Sequence, residues 1–235
     1  MSDETREITA FLYEIGQLKR YPRTGWLTAG VPSPESVADH SYRASVIAAV
    51  IATMEGADPQ RAAFLALWHD SQETRTTDLS HLTKEYVTAA SNAEVTSAQV
   101  ARLPGALADV ISAAVAEYEA RQTPEARCAR DADKVELVLQ AREYTGQGHP
   151  GLRPFIDSAL AALKTAAGRQ LAAEAQRQGF LDWVERALDG SAPESTAPGS
   201  TAPESSAPGS SAPGSAAPER PNTNLGSTSM TDGEA

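Results

Sequence analysis

Apolar residues recur every three or four positions along most of the first 190 residues, the spacing that places them on one face of an α-helix. The run of Ile8, Phe11, Leu12, Ile15 and Leu18 is the first example. Val, Ile and Thr never alternate with polar residues at the period of two that β-strands need. The pattern predicts an all-α fold, with helices over residues 8–18, 34–55, 59–70, 83–101, 106–120, 124–144 and 154–188.

Local signals refine the boundaries of these helices. Residues 33–35 (Ser-Pro-Glu) offer a hydroxyl cap, a proline at the first helical position and an acid near the positive helix end. Residues 58–59 (Asp-Pro) repeat this start signal. Prolines and glycines predict a loop over residues 21–33, and Gly168 is expected to interrupt the last helix.

The composition changes after residue 190. From Ser191 onward the chain consists mainly of Ala, Pro, Ser, Gly and Thr, in a repeat of five residues with few apolar side chains to bury. Such a segment cannot offset the entropy of ordering, so residues 191–235 are predicted to be a disordered tail. Residues 1–190 are predicted to form one domain, a length sufficient for a substantial core.

The charge and composition exclude several classes of protein. The formal net charge is −11, and five acids and one arginine after residue 190 account for −4, which leaves −7 for residues 1–190. Such an acidic body argues against binding nucleic acid, which needs Lys and Arg to displace counterions. The single Cys128 allows no intramolecular disulfide, and neither a signal peptide nor a membrane span is apparent. These features predict a cytoplasmic protein.

Two histidines and two aspartates are the candidate metal ligands. His40 lies in the second predicted helix, His69 and Asp70 end the third, and Asp133 lies in a later one. Imidazole nitrogen and carboxylate oxygen suit Mn, Co, Fe, Ni or Zn better than Mg. Each residue has an ordinary reading too, as a core histidine or a solvated acid. Their combination on three helices predicts one divalent transition metal per chain.

The order of several short motifs resembles the HD-domain phosphohydrolase superfamily, and most closely its 5′-deoxynucleotidases. The stretches that carry the resemblance are Leu-Lys-Arg-Tyr-Pro-Arg-Thr-Gly-Trp at 18–26, Pro-Glu-Ser-Val-Ala-Asp-His-Ser-Tyr-Arg at 34–43 and Leu-Trp-His-Asp-Ser-Gln-Glu at 67–73, followed by 78–79 and 133–144. The similarity implies an HD-domain helical bundle that forms a homodimer. It also implies metal ligation by His40, His69, Asp70 and Asp133.

The resemblance assigns further roles at matching positions. Glu73, one turn beyond His69, would be the catalytic acid or base, and Asp78 a catalytic-site carboxylate near the sugar and leaving oxygen. Trp26 would pack against the sugar and disfavour a 2′-hydroxyl. Arg23 would bind the phosphate through its planar guanidinium, with Arg20 as the alternative. The turn lining the substrate site would consist of Arg75, Thr76 and Thr77.

The function implied is metal-dependent hydrolysis of nucleoside or deoxynucleoside 5′-monophosphates to nucleoside and phosphate. One alternative is an HD-domain hydrolase of another small phosphate ester or of an alarmone nucleotide. A second is a di-iron oxygenase of the same superfamily, which requires more histidine ligands than His81 and His149 supply. A third is a non-catalytic interaction module with a degenerate site, although every chemical position is filled.

Overall fold

The computed structural model describes residues 3–190, which form twelve α-helices, two short 3-10 helices at Gly16–Lys19 and Pro150–Leu152, and no strand. The helices are α1 Asp3–Ile15, α2 Thr24–Thr28, α3 Val37–Glu55, α4 Pro59–Trp68, α5 Glu73–Thr76, α6 His81–Lys84, α7 Asn92–Val100, α8 Gly105–Ala120, α9 Pro124–Gly146, α10 Arg153–Ala162, α11 Ala166–Arg177 and α12 Asp182–Leu188. The all-α prediction is confirmed. The predicted disordered tail lies outside the described residues.

Helix α3 begins three residues later than the Ser-Pro-Glu signal at 33–35 suggests. The hydroxyl of Ser36 accepts a bond from the Asp39 backbone N–H, and the Asp39 carboxylate accepts one from the Ser36 N–H. This reciprocal capping box satisfies two donors at the helix start, which the Ser33 signal does not do. The Asp58 cap of α4 is where the sequence predicts it, with Pro59 as its first residue.

The predicted helix over 154–188 is divided into three, and neither break is at Gly168. The first break follows Ala162, where the buried carboxylate of Asp131 accepts bonds from the backbone N–H groups of Lys164 and Thr165. Gly168 lies inside α11, and a Cβ there would be 2.7 Å from an Asp131 oxygen. The glycine therefore allows close packing on α9 and does not end a helix.

The predicted helix over 83–101 is also divided. Helix α6 ends at Lys84, and α7 begins only at Asn92, where Ser91 and Glu94 form a second capping box. Residues 85–91 lack the apolar repeat that would continue one helix from α6 to α7. The loop predicted at 21–33 holds the short helix α2, which places Trp26 in the core.

Helices α3, α4 and α9 form the centre of the fold. The core where these helices pack together contains three fully buried side chains, Ile51 of α3, Leu65 of α4 and Val138 of α9. A smaller apolar cluster joins α1 to α7 and α8 through Phe11, among other residues. Among the described residues, no helix is long and apolar enough to cross a bilayer. His40 lies on α3, Asp133 lies on α9, and His69 follows α4 directly, so the packing of these three helices positions the candidate site.

Candidate metal centre and cavity

The predicted metal ligands come together from three elements. His40 lies on α3, His69 and Asp70 follow α4, and Asp133 lies on α9. The Nε2 atoms of His40 and His69 are 3.3 Å apart, and His40 Nε2 is 3.4 Å from Asp133 Oδ1. Asp70 Oδ2 is 3.1 Å from His69 Nε2 and 3.7 Å from His40 Nε2. His40, His69 and Asp133 therefore each offer a ligand atom within 4.8 Å of the others, and Asp70 Oδ2 lies beside both imidazoles.

The hydrogen bonds of the two imidazoles show that this site suits a cation. His69 Nδ1 donates to the carbonyl of Ala66 at 2.6 Å, and His40 Nδ1 donates to Glu136 Oε2 at 2.5 Å. With each Nδ1 engaged in this way, Nε2 is the atom of each ring that could bind an ion at the same point. Burial and Arg23 lower the pKa of His40, but Glu136 and its other acidic neighbours raise it to about 10 overall. The donor set and this preference for positive charge fit a divalent metal.

Glu136 and Arg43 form a support that the sequence analysis did not identify. The Glu136 side chain is fully buried, and Arg43 donates to its second oxygen from Nε at 3.0 Å and from Nη2 at 2.7 Å. Arg43 also bonds Gln140 and Glu143, each at 2.6 Å. The available signal was spacing, since Glu136 follows Asp133 by three residues on α9 and so shares its face.

Glu73 lies at the start of α5, beside the predicted metal ligands and in the wall of the main cavity. Burial and the neighbouring Asp70 and Asp78 raise the pKa of Glu73 to about 10, against the opposing charges of Arg23 and His40. Its Oε2 atom is buried and has no hydrogen-bond partner among the described residues. A carboxyl group in this setting can hold a proton at neutral pH.

Arg23 and Asp78 connect the loop before α2 to the segment after α5. Arg23 Nη1 lies 3.2 Å from Asp70 Oδ2 and 3.3 Å from Asp78 Oδ1. The other oxygen of Asp78 accepts bonds from the Thr24 backbone N–H at 2.5 Å and from its hydroxyl at 3.0 Å. Burial lowers the pKa of Arg23, but Asp70 and Asp78 raise it overall, so the guanidinium is firmly charged.

Trp26 is buried and borders the cavity. Its indole N–H donates to Glu35 Oε1 at 3.0 Å, and its ring centroid lies 5.5 Å from that of Tyr144 and 5.3 Å from that of Phe155. Burial and the nearby Glu136 raise the pKa of Glu35 to about 7. Trp26 is therefore held rigidly, which is the condition for a side chain that selects substrates by shape.

The remaining residues of the predicted turn are placed differently. Thr76 and Thr77 line a smaller recess beside Glu73. Arg75 lines neither recess nor cavity, because its guanidinium bonds the Glu14 carboxylate at 2.7 Å and 2.9 Å. Arg20, the alternative phosphate ligand, is exposed and bonds Gln17 away from the cavity. The structure thus brings Arg23 to the site and leaves Arg20 and Arg75 outside it.

An open cavity of about 880 Å³ lies over the predicted metal ligands. His69, Asp70 and Asp133 form part of its floor, with Arg23, Trp26, Glu73 and Asp78 also in its lining. His81, at the start of α6, reaches this cavity but does not join the ligand cluster. The volume is in the range typical of small-molecule sites. A helical bundle with a buried histidine–carboxylate centre beneath such a cavity is the architecture of a metal-dependent enzyme.

Comparison with known proteins gives the family. The sequence model described as HD domain matches residues 15–175, and the chain belongs to this HD domain family. The human protein named 5′-deoxynucleotidase HDDC2 is 38% identical over 159 residues, covering 65% of this chain and 76% of its own. The Schizosaccharomyces pombe protein named 5′-deoxynucleotidase hdd1 is 35% identical over 147 residues, covering 58% of this chain and 72% of its own. The family expected from the motifs is confirmed.

A solved structure agrees with the assignment. A conserved hypothetical protein from Pyrococcus furiosus superimposes with a TM-score of 0.60 at 31% identity, covering 72% of this chain and 99% of its own.

Proposed function

We propose that this chain is a divalent-metal-dependent 5′-deoxynucleotidase, which hydrolyses deoxynucleoside 5′-monophosphates to nucleoside and inorganic phosphate. The observation that carries the proposal is the convergence of two imidazole nitrogens and two carboxylates beneath an open cavity, with Glu73 beside them. The relatives named 5′-deoxynucleotidases support the same reaction for this chain.

His40, His69, Asp70 and Asp133 would hold the metal. A divalent ion at this position supplies Lewis acidity, which lowers the pKa of a water ligand and neutralises charge on a phosphoryl oxygen. The residues themselves fix the place of the reaction, because each ligand is carried by the packed core of the bundle or by the chain directly after α4.

Glu73 would manage the proton of the reaction. Its carboxyl group is buried and lines the cavity, and its Oε2 atom has no partner among the described residues. While it holds a proton it can give that proton to the leaving 5′-oxygen, and once ionised it can take one from the attacking water. Its raised pKa favours the protonated form, which is the form that can donate to a leaving oxygen.

Arg23, Asp78 and Trp26 would orient the substrate. Arg23 remains charged between two acids and lies in the cavity wall, where its remaining N–H groups can bond phosphate. Asp78 would contact the sugar near its leaving oxygen. Trp26 is fixed by Glu35 and by aromatic neighbours, and its ring edge would disfavour a 2′-hydroxyl. Thr76 and Thr77 would complete the wall beside Glu73.

The test is phosphate release from a panel of deoxy- and ribonucleoside 5′-monophosphates, after removal of metals and addition of Co, Mn, Zn, Ni, Fe or Mg singly. We expect transition metals to restore activity and Glu73→Gln to abolish it. Trp26→Phe should lower the deoxy-to-ribo ratio of kcat/KM while the protein stays folded. Failure of every monophosphate with every metal would overturn the proposal.

Three further properties belong to the proposal. The physiological metal is proposed to be Co, Mn, Zn, Ni or Fe rather than Mg, since two imidazoles favour the transition metals. The protein is proposed to be a homodimer located in the cytoplasm. Metal analysis of the purified protein and light scattering of the eluted species test the first two of these.

A further inference from the structure

The cations around the main cavity differ in how far they are already engaged. Arg23 is shared between Asp70 and Asp78. Arg130 stacks over the Tyr118 ring at 4.8 Å and lies 3.8 Å from a Glu119 oxygen. The other cations in the lining are Lys84, Arg121 and Lys134.

Lys134 is placed differently from the other two. Lys84 and Arg121 are exposed, whereas the side chain of Lys134 is 32% exposed and its Nζ lies 2.8 Å from Asp133 Oδ2. The second oxygen of that carboxylate, Oδ1, faces His40 Nε2 at 3.4 Å. One carboxylate group therefore separates the Lys134 ammonium from the centre of the ligand set. Lys134 also lines the cavity.

The net charge of the site explains why a cation at this position matters. The carboxylates of Asp70 and Asp133 cancel the two charges of a divalent ion, and Asp78 cancels Arg23. A phosphate monoester dianion would then meet a neutral site unless another cation contributes. Lys134 supplies that charge at the cavity side of Asp133, where Coulomb attraction is strong because solvent is partly excluded.

We infer that Lys134 is a phosphate-binding residue of this site, which contacts a phosphoryl oxygen of the substrate and of the product phosphate. The inference rests on the proposed function and adds to it a second protein cation beside Arg23. A lysine suits this position because its flexible stem can keep Asp133 within reach while its other two N–H groups face the ligand.

The experiment measures binding of inorganic phosphate to the metal-loaded protein by calorimetry at fixed, low ionic strength. The variants are Lys134→Gln, Lys134→Arg and the control Lys164→Gln, an exposed lysine outside the cavity lining. We expect the Kd for phosphate to rise about tenfold or more in Lys134→Gln and about threefold or less in Lys134→Arg, since charge is retained in the latter. Lys164→Gln should be unchanged.

The metal Kd, measured by competition with a chelator in the absence of phosphate, separates binding from a purely structural role. The inference requires this Kd to stay within about threefold in Lys134→Gln, since the charge acts on the ligand. An unchanged phosphate Kd, or a weakened metal Kd that accounts for the whole loss, would mean that Lys134 only neutralises Asp133.

Phosphate binding does not depend on turnover, so the two proposals fail separately. Loss of phosphate affinity in Lys134→Gln without hydrolysis of any monophosphate would uphold this inference and overturn the nucleotidase. Hydrolysis of monophosphates with an unchanged phosphate Kd would do the reverse.

Discussion

Nδ1 of His40 lies 2.5 Å from Oε2 of Glu136, and neither side chain is exposed to solvent. Burial raises the pKa of Glu136, but His40 and Arg43 lower it below its ordinary value overall, so the carboxylate is charged. A charged acceptor at Nδ1 holds a proton there, so Nε2 is the nitrogen that faces the predicted metal site. The orientation of one predicted metal ligand is thus set by a residue outside the predicted ligand set.

Replacing Glu136 should weaken metal binding more than it weakens the fold. In Glu136→Gln the charged acceptor is lost, and we expect the metal Kd to rise by about 10- to 100-fold, the usual effect of such a partner. Chelator competition measures the Kd, and ¹⁵N spectra of His40 report the tautomer. Glu143→Gln is the matched control, because Glu143 bonds the same Arg43 and does not contact His40. An equal rise of the metal Kd in both variants would contradict the role of Glu136 in orienting His40.

Glu73→Gln should remove activity and alter the pH dependence of stability in the metal-free protein. The folded pKa of Glu73 is about 10 against an ordinary 4.5, so between these values the folded state holds a proton that the unfolded state releases. Unfolding is therefore favoured as pH rises through this window. We expect kcat to fall about 10²- to 10⁴-fold in Glu73→Gln.

The same variant should be the more stable protein at pH 8, with an advantage that shrinks towards pH 5. An advantage of about 1 kcal/mol would raise Tm by roughly 2–4 °C for a domain of this size. Thermal unfolding in chelator at several pH values measures it. A stability difference that does not vary with pH would show that Glu73 is ionised in the folded protein.

Arg75→Gln should leave catalysis unchanged and lower stability slightly. The hydrogen bonds from Arg75 are the largest cause that lowers the pKa of Glu14. Burial opposes this shift, and hydrogen bonds from Gln99 and Thr74 add to it. This contribution is present above the ordinary pKa of 4.5 and is lost as pH falls through the lowered value. We expect a loss of about 0.5–1 kcal/mol near neutral pH, since the pair is partly exposed.

Urea unfolding of Arg75→Gln at pH 7 and pH 4 measures that loss, which should be smaller at the lower pH. The values of kcat and KM should stay within about twofold, because Arg75 does not line the cavity. A large rise in KM would restore the substrate-binding role that the sequence predicts for this residue.

Thr77→Gly should stabilise the protein. Thr77 has φ 59° and ψ 167°, a region occupied almost only by glycine, and it joins α5 to Asp78. Relief of strain is worth about 1–3 kcal/mol, and the greater freedom of glycine in the unfolded chain costs about 0.5–1 kcal/mol. We expect a net gain of about 1 kcal/mol in urea unfolding. Thr76→Gly, at a helical position, should show no gain.

The strained backbone of Thr77 can be tested for a second effect, on the position of the Asp78 side chain. If the strained residue holds Asp78 against Arg23 and Thr24, then Thr77→Gly should lower kcat/KM despite the gain in stability. Unchanged kcat/KM would show that the Thr24 bonds alone position Asp78.

The sequence by itself determined the class of fold and named the candidate metal ligands. The apolar repeat of three and four dictates helices, and the order of His40, His69-Asp70 and Asp133 along the chain matches a metal set. It also located the Asp58 cap, because a cap depends on residues within one turn. Local physics is visible in a linear sequence whenever both partners lie close together in the chain.

The tertiary structure decided the features whose partners lie far apart. The break at residues 163–165 exists because Asp131, more than thirty residues earlier, binds the freed backbone N–H groups. Arg75 leaves the cavity because Glu14 of α1 binds it, and neighbouring residues alone gave no sign of that pair. Glu136 supports His40 across 96 positions of chain. Hydrogen bonds and charges act through space, so only the packed helices show which residues share a site.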